Sequence, residues 1–221
     1  MIKLAIDAST YVGDVALLDG TNVLAEESAA MKGAEQERLM PAVASVLERS
    51  GRRMSDVGQI VCGAGPGSFT SLRIAGGIAK GLATGARIPL FAVPSMALIV
   101  GGAPLHVGRY VVAVDALRGD FYAGLYHVGA NGEILELERA RLVKADEVEM
   151  LAAEHSAVLV SPSELPGAVR ATPKARAVGR MEQVLASSGP VDIDSWEPAY
   201  GRLAEAQVKW EAAHGRPLPA G

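Results

Sequence analysis

The first apolar run, Lys3 to Ile6, is short and closes on Asp7, and a second, Val15 to Leu18, follows the polar pair Gly13-Asp14. Asp19-Gly20-Thr21-Asn22 is a turn signal, after which Val23 to Glu26 reads as a third strand. The period then changes. Leu39, Val43, Val46 and Leu47 recur at helical spacing, Glu35, Glu37, Arg38 and Glu48 take the other side, and Ser50-Gly51 supplies the stop. Gln59 to Gly63 has a wholly apolar centre, as a strand buried on both faces would. It feeds the glycine-rich stretch Ala64 to Ser68, which opens a second helix over about residues 70 to 84.

The same order restarts in the second half. Ala5-Ile6-Asp7-Ala8 is echoed by Ala113-Val114-Asp115-Ala116, and a Gly-Asp pair precedes the next strand in both halves, at Gly13-Asp14 and Gly119-Asp120. The turn Asn131-Gly132 matches Asp19-Gly20. A strand near Ile134 to Glu138, a helix near Asp146 to Glu154 and a strand from Ala157 to Val160 continue the correspondence. The pattern predicts an α/β chain built as a duplicated ribonuclease-H-like fold of the actin, sugar-kinase and Hsp70 type, each half a mixed sheet with flanking helices. Gly101-Gly102-Ala103-Pro104 suits a boundary, giving domains at 1–104 and 105–221. A last helix is expected at about 202 to 213, packing back on the first domain, with a frayed tail from Gly215.

Composition narrows the function. The 221 residues carry a net charge of −4, which argues against a protein that grips nucleic acid alone, because neutralising phosphates needs a basic face. A single cysteine, Cys62, excludes an internal disulfide. No basic leader with a cleavage site opens the chain, and the apolar stretch from Ala92 to Val107 is interrupted by Pro94, Gly101, Gly102 and Pro104. A cytoplasmic, soluble protein without a membrane partner is the expectation.

In a duplicated fold of this kind, nucleotide lies in the cleft between the halves, and Asp7 and Asp115, each closing a first strand, would flank it. The loop Gly65-Pro66-Gly67-Ser68 sits between strand and helix, where amides and the helix dipole hold anions, with Arg73 one turn on. It lacks the paired Lys-Ser/Thr of a phosphate-binding P-loop, so Ser68 or Thr70 as helix cap is the plainer reading. The chain is also short for the insertions that clamp a nucleotide, which points to an incomplete site. His106, His127, His155 and His214 are scattered, without metal-ligand spacing. Ser68 and Ser71 have no neighbouring histidine, and Cys62 lies in an apolar strand, as a core thiol would.

Gly77, Gly81 and Gly85 fall every fourth residue along the second helix, with Ala75, Ala79 and Ala83 on the adjoining row. Each interior glycine costs a helix about 1 kcal/mol relative to alanine, so three need a compensating reason. Such a surface, edged by Leu72, Ile78 and Leu82, either packs on the chain's own sheet or meets a second chain. Leu39 and Val43 of the preceding helix would extend it.

Gly65-Pro66-Gly67-Ser68-Phe69-Thr70-Ser71-Leu72-Arg73 resembles the signature of the TsaB (YeaZ) family, with Ser71 where glycine is usual. Leu4 to Ser9, Glu37 to Pro41, Val114 to Tyr122 and Glu197 to Arg202 agree as well, in the expected order along nearly the whole chain. The resemblance implies a subunit without catalytic residues in the machinery that forms N6-threonylcarbamoyladenosine on tRNA. It implies binding and activation of the catalytic subunit TsaD together with the ATPase TsaE, and self-association through the same N-terminal surface when TsaD is absent. No cofactor is then required by the isolated chain, ATP or ADP would belong to the complex, and tRNA would be met only through it. The family often has His-Ser where this chain has Glu35-Gln36, which bears on any partner contact made there. The alternative is a small actin-type ATP-dependent phosphotransferase. A metalloprotease, the third reading, would need a bound metal.

Overall fold

The computed structural model describes residues 1–31, 37–201 and 214–215. Strands β1 (Ile2–Asp7), β2 (Val12–Asp19) and β3 (Asn22–Ala30) form an antiparallel meander. Helix α1 (Leu39–Arg49) leads to β4 (Val57–Gly63), which pairs parallel with β1, and α2 (Phe69–Ala86) leads to β5 (Leu90–Val93), parallel to β4. After α3 (Ser95–Val100), a second meander follows in β6 (Gly108–Asp115), β7 (Asp120–Val128) and β8 (Ile134–Lys144). Helix α4 (Ala145–Glu154), β9 (Val158–Ser161), the two-residue β10 (Val169–Arg170) and α5 (Glu182–Ser188) complete the described elements, with short 3-10 helices at Met54–Asp56 before β4 and Ala175–Arg180 before α5. The sheet orders β3-β2-β1-β4-β5 and β8-β7-β6-β9-β10 are the same topology twice, the duplicated ribonuclease-H-like fold.

Period-2 alternation divides the apolar residues among three cores. Leu4, Ile6, Val15, Leu17, Ile60 and Cys62 turn to one face, where α1 contributes Leu39, Val43 and Val46, and α2 contributes Ala75, Ala79 and Ala83. Their neighbours Ala5, Ala16, Leu18 and Val61 turn the other way, toward Tyr110, Val112, Val114 and Tyr126 of the second sheet. The five residues of α3 from Met96 to Val100 are buried in this shared layer, so one core joins the halves. Val111, Ala113, Ala123 and Leu125 form the third core with Val148 and Ala152 of α4. With both faces covered, β4 has no reason to alternate, which accounts for its unbroken apolar centre.

The Gly-Asp echo between the halves is not structurally equivalent. Asp14 stands opposite Asp7 in the first sheet, whereas Phe121 stands opposite Asp115 in the second, and Asp120 stands opposite Lys144. Gly13 lies inside β2, while Gly119 takes φ +79 in a turn. β8 runs to Lys144 rather than ending near Glu138, and β5 and α3 lie in a stretch where no periodic element was expected.

After β10 the chain returns to the first sheet. Ala175 N–H donates to Asp14 Oδ1 at 2.7 Å, Val191 N–H to the Leu90 carbonyl at 2.8 Å, and Ala199 N–H to the Ala64 carbonyl at 2.7 Å. Lys3, buried in β1, pairs with Glu182. The segment from Lys174 to Ala199 therefore lies against the first half, although the sheets divide near residue 104. The helix expected at 202 to 213, the Glu35-Gln36 site and the tail beyond Gly215 fall outside the described residues. No helix among the described residues is long and apolar enough to cross a membrane.

Candidate functional site

Asp7 ends β1 completely buried. Its Oδ1 accepts the Ser9 amide at 2.9 Å and the Ser9 hydroxyl at 2.8 Å, while Oδ2 has no hydrogen-bond donor. Burial is the main reason its carboxyl stands above the usual aspartate range, partly opposed by Ser95 and Ser9 and reinforced by Asp14. Gly63 leaves no room beside it: a Cβ there would stand 1.8 Å from Asp7 Oδ2 and 2.7 Å from Ser95 Oγ.

The glycine-rich loop is closed by the chain itself. Ala64 N–H donates to the Val93 carbonyl at 2.8 Å, Gly65 N–H to Ser95 Oγ at 2.8 Å, and Ser68 N–H to the Ser9 carbonyl at 2.7 Å. Gly67 is required because a Cβ would stand 2.0 Å from the Ser9 carbonyl oxygen. Gly65 combines φ +88 with an approach of 2.5 Å to the Ala199 carbonyl oxygen. The amides of Gly65 and Ser68, in the loop expected to face an anion, are thus engaged internally, as is that of Ala64 before it. Ser68 occupies the cap position of α2, but its hydroxyl meets that of Ser71 at 3.1 Å instead of capping an amide, and Thr70 lies within the helix.

Asp115 ends β6 as Asp7 ends β1, but its surroundings differ. It is exposed, and its Oδ1 accepts the Leu117 amide at 2.7 Å in a local turn. A cavity of about 680 Å³ lies at the opposite end of both sheets, between the β2–β3 turn, the β7–β8 turn and residues 176–183. Its charged lining is already partnered: Arg176 by Glu26, Glu182 by Lys3, Arg180 by the Gly132 carbonyl and Glu133 by the Asn131 amide. Neither Asp7 nor Asp115 lines this cavity.

The two small-residue rows of α2 have different fates. Ala75, Ala79 and Ala83 are fully buried on the chain's own sheet, as is Leu72 within the protein interior. Leu39 and Val43 of α1 are likewise core. These side chains cannot supply the contact surface expected of them, because their own sheet already covers them. Gly77, Gly81 and Gly85 are exposed, a Cβ at each would meet none of the described residues within 4 Å, and Ile78 and Leu82 are half-buried beside them. The flat face of α2 is thus the glycine row alone with its two aliphatic neighbours, and Met40 of α1 is 41% exposed.

The two most distinctive strings of the sequence meet at the start of this helix. The Phe69 and Tyr200 rings lie 4.7 Å apart, and the exposed Arg73 guanidinium sits 5.5 Å over Phe69. Buried Pro198 lies against Gly76, where a Cβ would be 3.1 Å from Pro198 Cγ. Ser9, Ser95 and Pro198 were not singled out from the sequence, because each acts through a partner at least 30 positions away or through a neighbour's backbone. Among the described residues no three His, Cys, Asp or Glu side chains gather as metal ligands. Cys62 is fully buried, and burial pushes its thiol far above the usual range.

The model of the family described as "TsaD: tRNA N6-adenosine threonylcarbamoyltransferase" matches residues 23–158. The tRNA threonylcarbamoyladenosine biosynthesis protein TsaB of Bacillus subtilis is 31% identical over 228 residues, covering 95% of this chain and 98% of that protein. TsaB of Escherichia coli is 37% identical over 131 residues, 58% of this chain and 56% of that protein. The solved structure of YeaZ from Pseudomonas aeruginosa superposes with a TM-score of 0.70 at 26% identity, covering 90% of this chain and 100% of that one. Another Pseudomonas aeruginosa structure, described as similar to peptidase YEAZ, gives a TM-score of 0.77 at 25% identity over 91% of this chain and 99% of that one. With a relative matched along almost its entire length and the same duplicated topology, this chain belongs to the TsaB (YeaZ) family.

Proposed function

We infer that this chain acts in tRNA threonylcarbamoyladenosine biosynthesis as a non-catalytic subunit that binds and activates a TsaD-type catalytic subunit, together with a TsaE-type ATPase. The observation that carries this reading is the exposed glycine row of α2. Three glycines lower helix stability and meet no neighbour among the described residues, so a close approach by another helix is the compensating use. Self-association through the same face in the absence of the partner follows from the same geometry. The closed loop beside Asp7 supports a role without nucleotide turnover in this chain, with ATP or ADP held elsewhere in the complex. The net charge of −4 supports contact with tRNA only through the assembly, in the cytoplasm.

The test is transfer of threonylcarbamoyl from preformed adenylate to tRNA by purified TsaD and TsaE from the same source. Product only on addition of this chain supports the reading; equal product without it overturns it. A phosphotransferase would instead bind magnesium-ATP with the chain alone, which equilibrium binding measures separately.

A further inference from the structure

The cavity between the β2–β3 turn, the β7–β8 turn and residues 176–183 is lined neither by the loop beside Asp7 nor by the glycine row of α2. Close backbone approaches build its wall. Gly101, just after α3, lies so near Ala177 that a Cβ there would stand 2.2 Å from the alanine Cβ. Gly132 lies under the Arg180 guanidinium, where a Cβ would stand 2.1 Å from Nη1, and it holds φ +77, which side chains rarely adopt. Turn and guanidinium are thus fitted to each other, and the volume of about 680 Å³ suits a small molecule.

Two arginines and two glutamates line the cavity, so its wall has no net charge and favours neither a simple anion nor a simple cation. Opposite charges outside the cavity engage two of the four, Arg176 by Glu26 and Glu182 by Lys3. The other two are held only by neutral backbone groups of one turn. Arg180 Nη1 donates to the Gly132 carbonyl at 3.3 Å, and Glu133 Oε2 accepts the Asn131 amide at 3.0 Å. Among the described residues, Arg180 and Glu133 form no ion pair with each other or with a third group. Buried Ala103 and Ala177, half-buried Leu105 and Val23 add apolar surface.

We propose that this cavity binds a free aliphatic α-amino acid as its zwitterion. The carboxylate lies on the Arg180 guanidinium, whose planar fork matches two carboxylate oxygens, and the ammonium lies on the Glu133 carboxylate. The aliphatic side chain rests against Leu105, Ala103 and Val23. Val23 belongs to the first half, Glu133 to the second and Arg180 to the segment that returns between them, so the bound amino acid touches all three. This site is independent of the partner face on α2.

The experiment titrates the 15N-labelled full chain with L-leucine, L-leucine methyl ester and N-acetyl-L-leucine, following the Gly101 and Gly179 amides and the Asn131 and Gln183 side-chain amides by NMR. L-leucine is expected to shift these signals saturably. The ester lacks the carboxylate and the acetyl compound lacks the ammonium, so each is expected to bind at least tenfold more weakly. Arg180→Gln is expected to bind leucine no better than the ester. Glu133→Gln, whose amide oxygen can still accept the Asn131 N–H, is expected to bind leucine no better than the acetyl compound. Unchanged signals away from the cavity show that each variant is folded, and the two derivatives test the same contacts on the unaltered chain. Absence of a saturable shift with L-leucine overturns the proposal. Equal binding of leucine and either derivative to the unaltered chain overturns it too, as does leucine binding that either folded variant leaves unchanged.

Discussion

Lys174 Nζ reaches Asp14 Oδ2 at 2.9 Å, joining residues 160 positions apart. The contact fixes where the chain returns to the first sheet, next to the Ala175 amide that donates to the other oxygen of the same carboxylate. Asp14 is 1% exposed, so removing its cation leaves a buried charge without its counter-ion. Lys174→Met is expected to cost about 3 kcal/mol in denaturant unfolding. Arg176→Ala, which breaks the neighbouring exposed pair with Glu26, is expected to cost less than about 1 kcal/mol. Equal costs would remove the distinction between a buried latch and a surface pair.

Glycine substitutions separate two uses of the residue. A Cβ at Gly67 would collide with the Ser9 backbone, and no flexible side chain can yield there. Gly67→Ala is expected to lower stability by more than about 2 kcal/mol. Gly81 faces open space, so Gly81→Ala is expected to raise the stability of the isolated chain by about 0.5–1 kcal/mol. Thermal unfolding of both variants reads the contrast, and a destabilised Gly81→Ala would show that the row serves the fold itself.

Helix α3 lies in the layer between the sheets, with Ile99 fully buried there. Ile99→Ala is expected to cost about 2–5 kcal/mol. Because that layer belongs to both halves, calorimetry should still record one transition. Two separated transitions in the variant would mean that the halves are stable without the shared layer.

Cys62 is fully buried in β4, and its thiol is held far above the ordinary range by burial first and by Asp7 second. A thiol reagent at pH 8 is expected to react with it only as fast as the protein unfolds. Rapid labelling of the native protein would contradict the packing of β4 against α2.

Much of the fold was legible because strand and helix periods are local. Leu4 to Ile6, the period of α1 and the apolar centre of β4 all report which faces are buried. Element α3 was not legible, since all its residues are buried and no polar face marks a period. The duplication was inferred in part from the two Gly-Asp pairs, yet topology repeats while those pairs occupy different registers. The candidate site was less legible for a physical reason. Whether the amides of Ala64, Gly65 and Ser68 are free depends on Val93, Ser95 and Ser9, which spacing along the chain does not bring together. The burial of Asp7 and exposure of Asp115 are likewise outcomes of packing, although both close a first strand.

The central claim is that the exposed glycine face of α2 receives the catalytic partner. The most direct measurement is the affinity of this chain for the TsaD-type subunit of the same organism, wild type against Gly81→Arg, by sedimentation or calorimetry. Arginine is a better helix former than glycine and meets open space here, so the variant should fold. The expected result is an unchanged fold with association weakened tenfold or more, about 1.4 kcal/mol. An affinity equal to wild type, with the fold intact, would contradict the account.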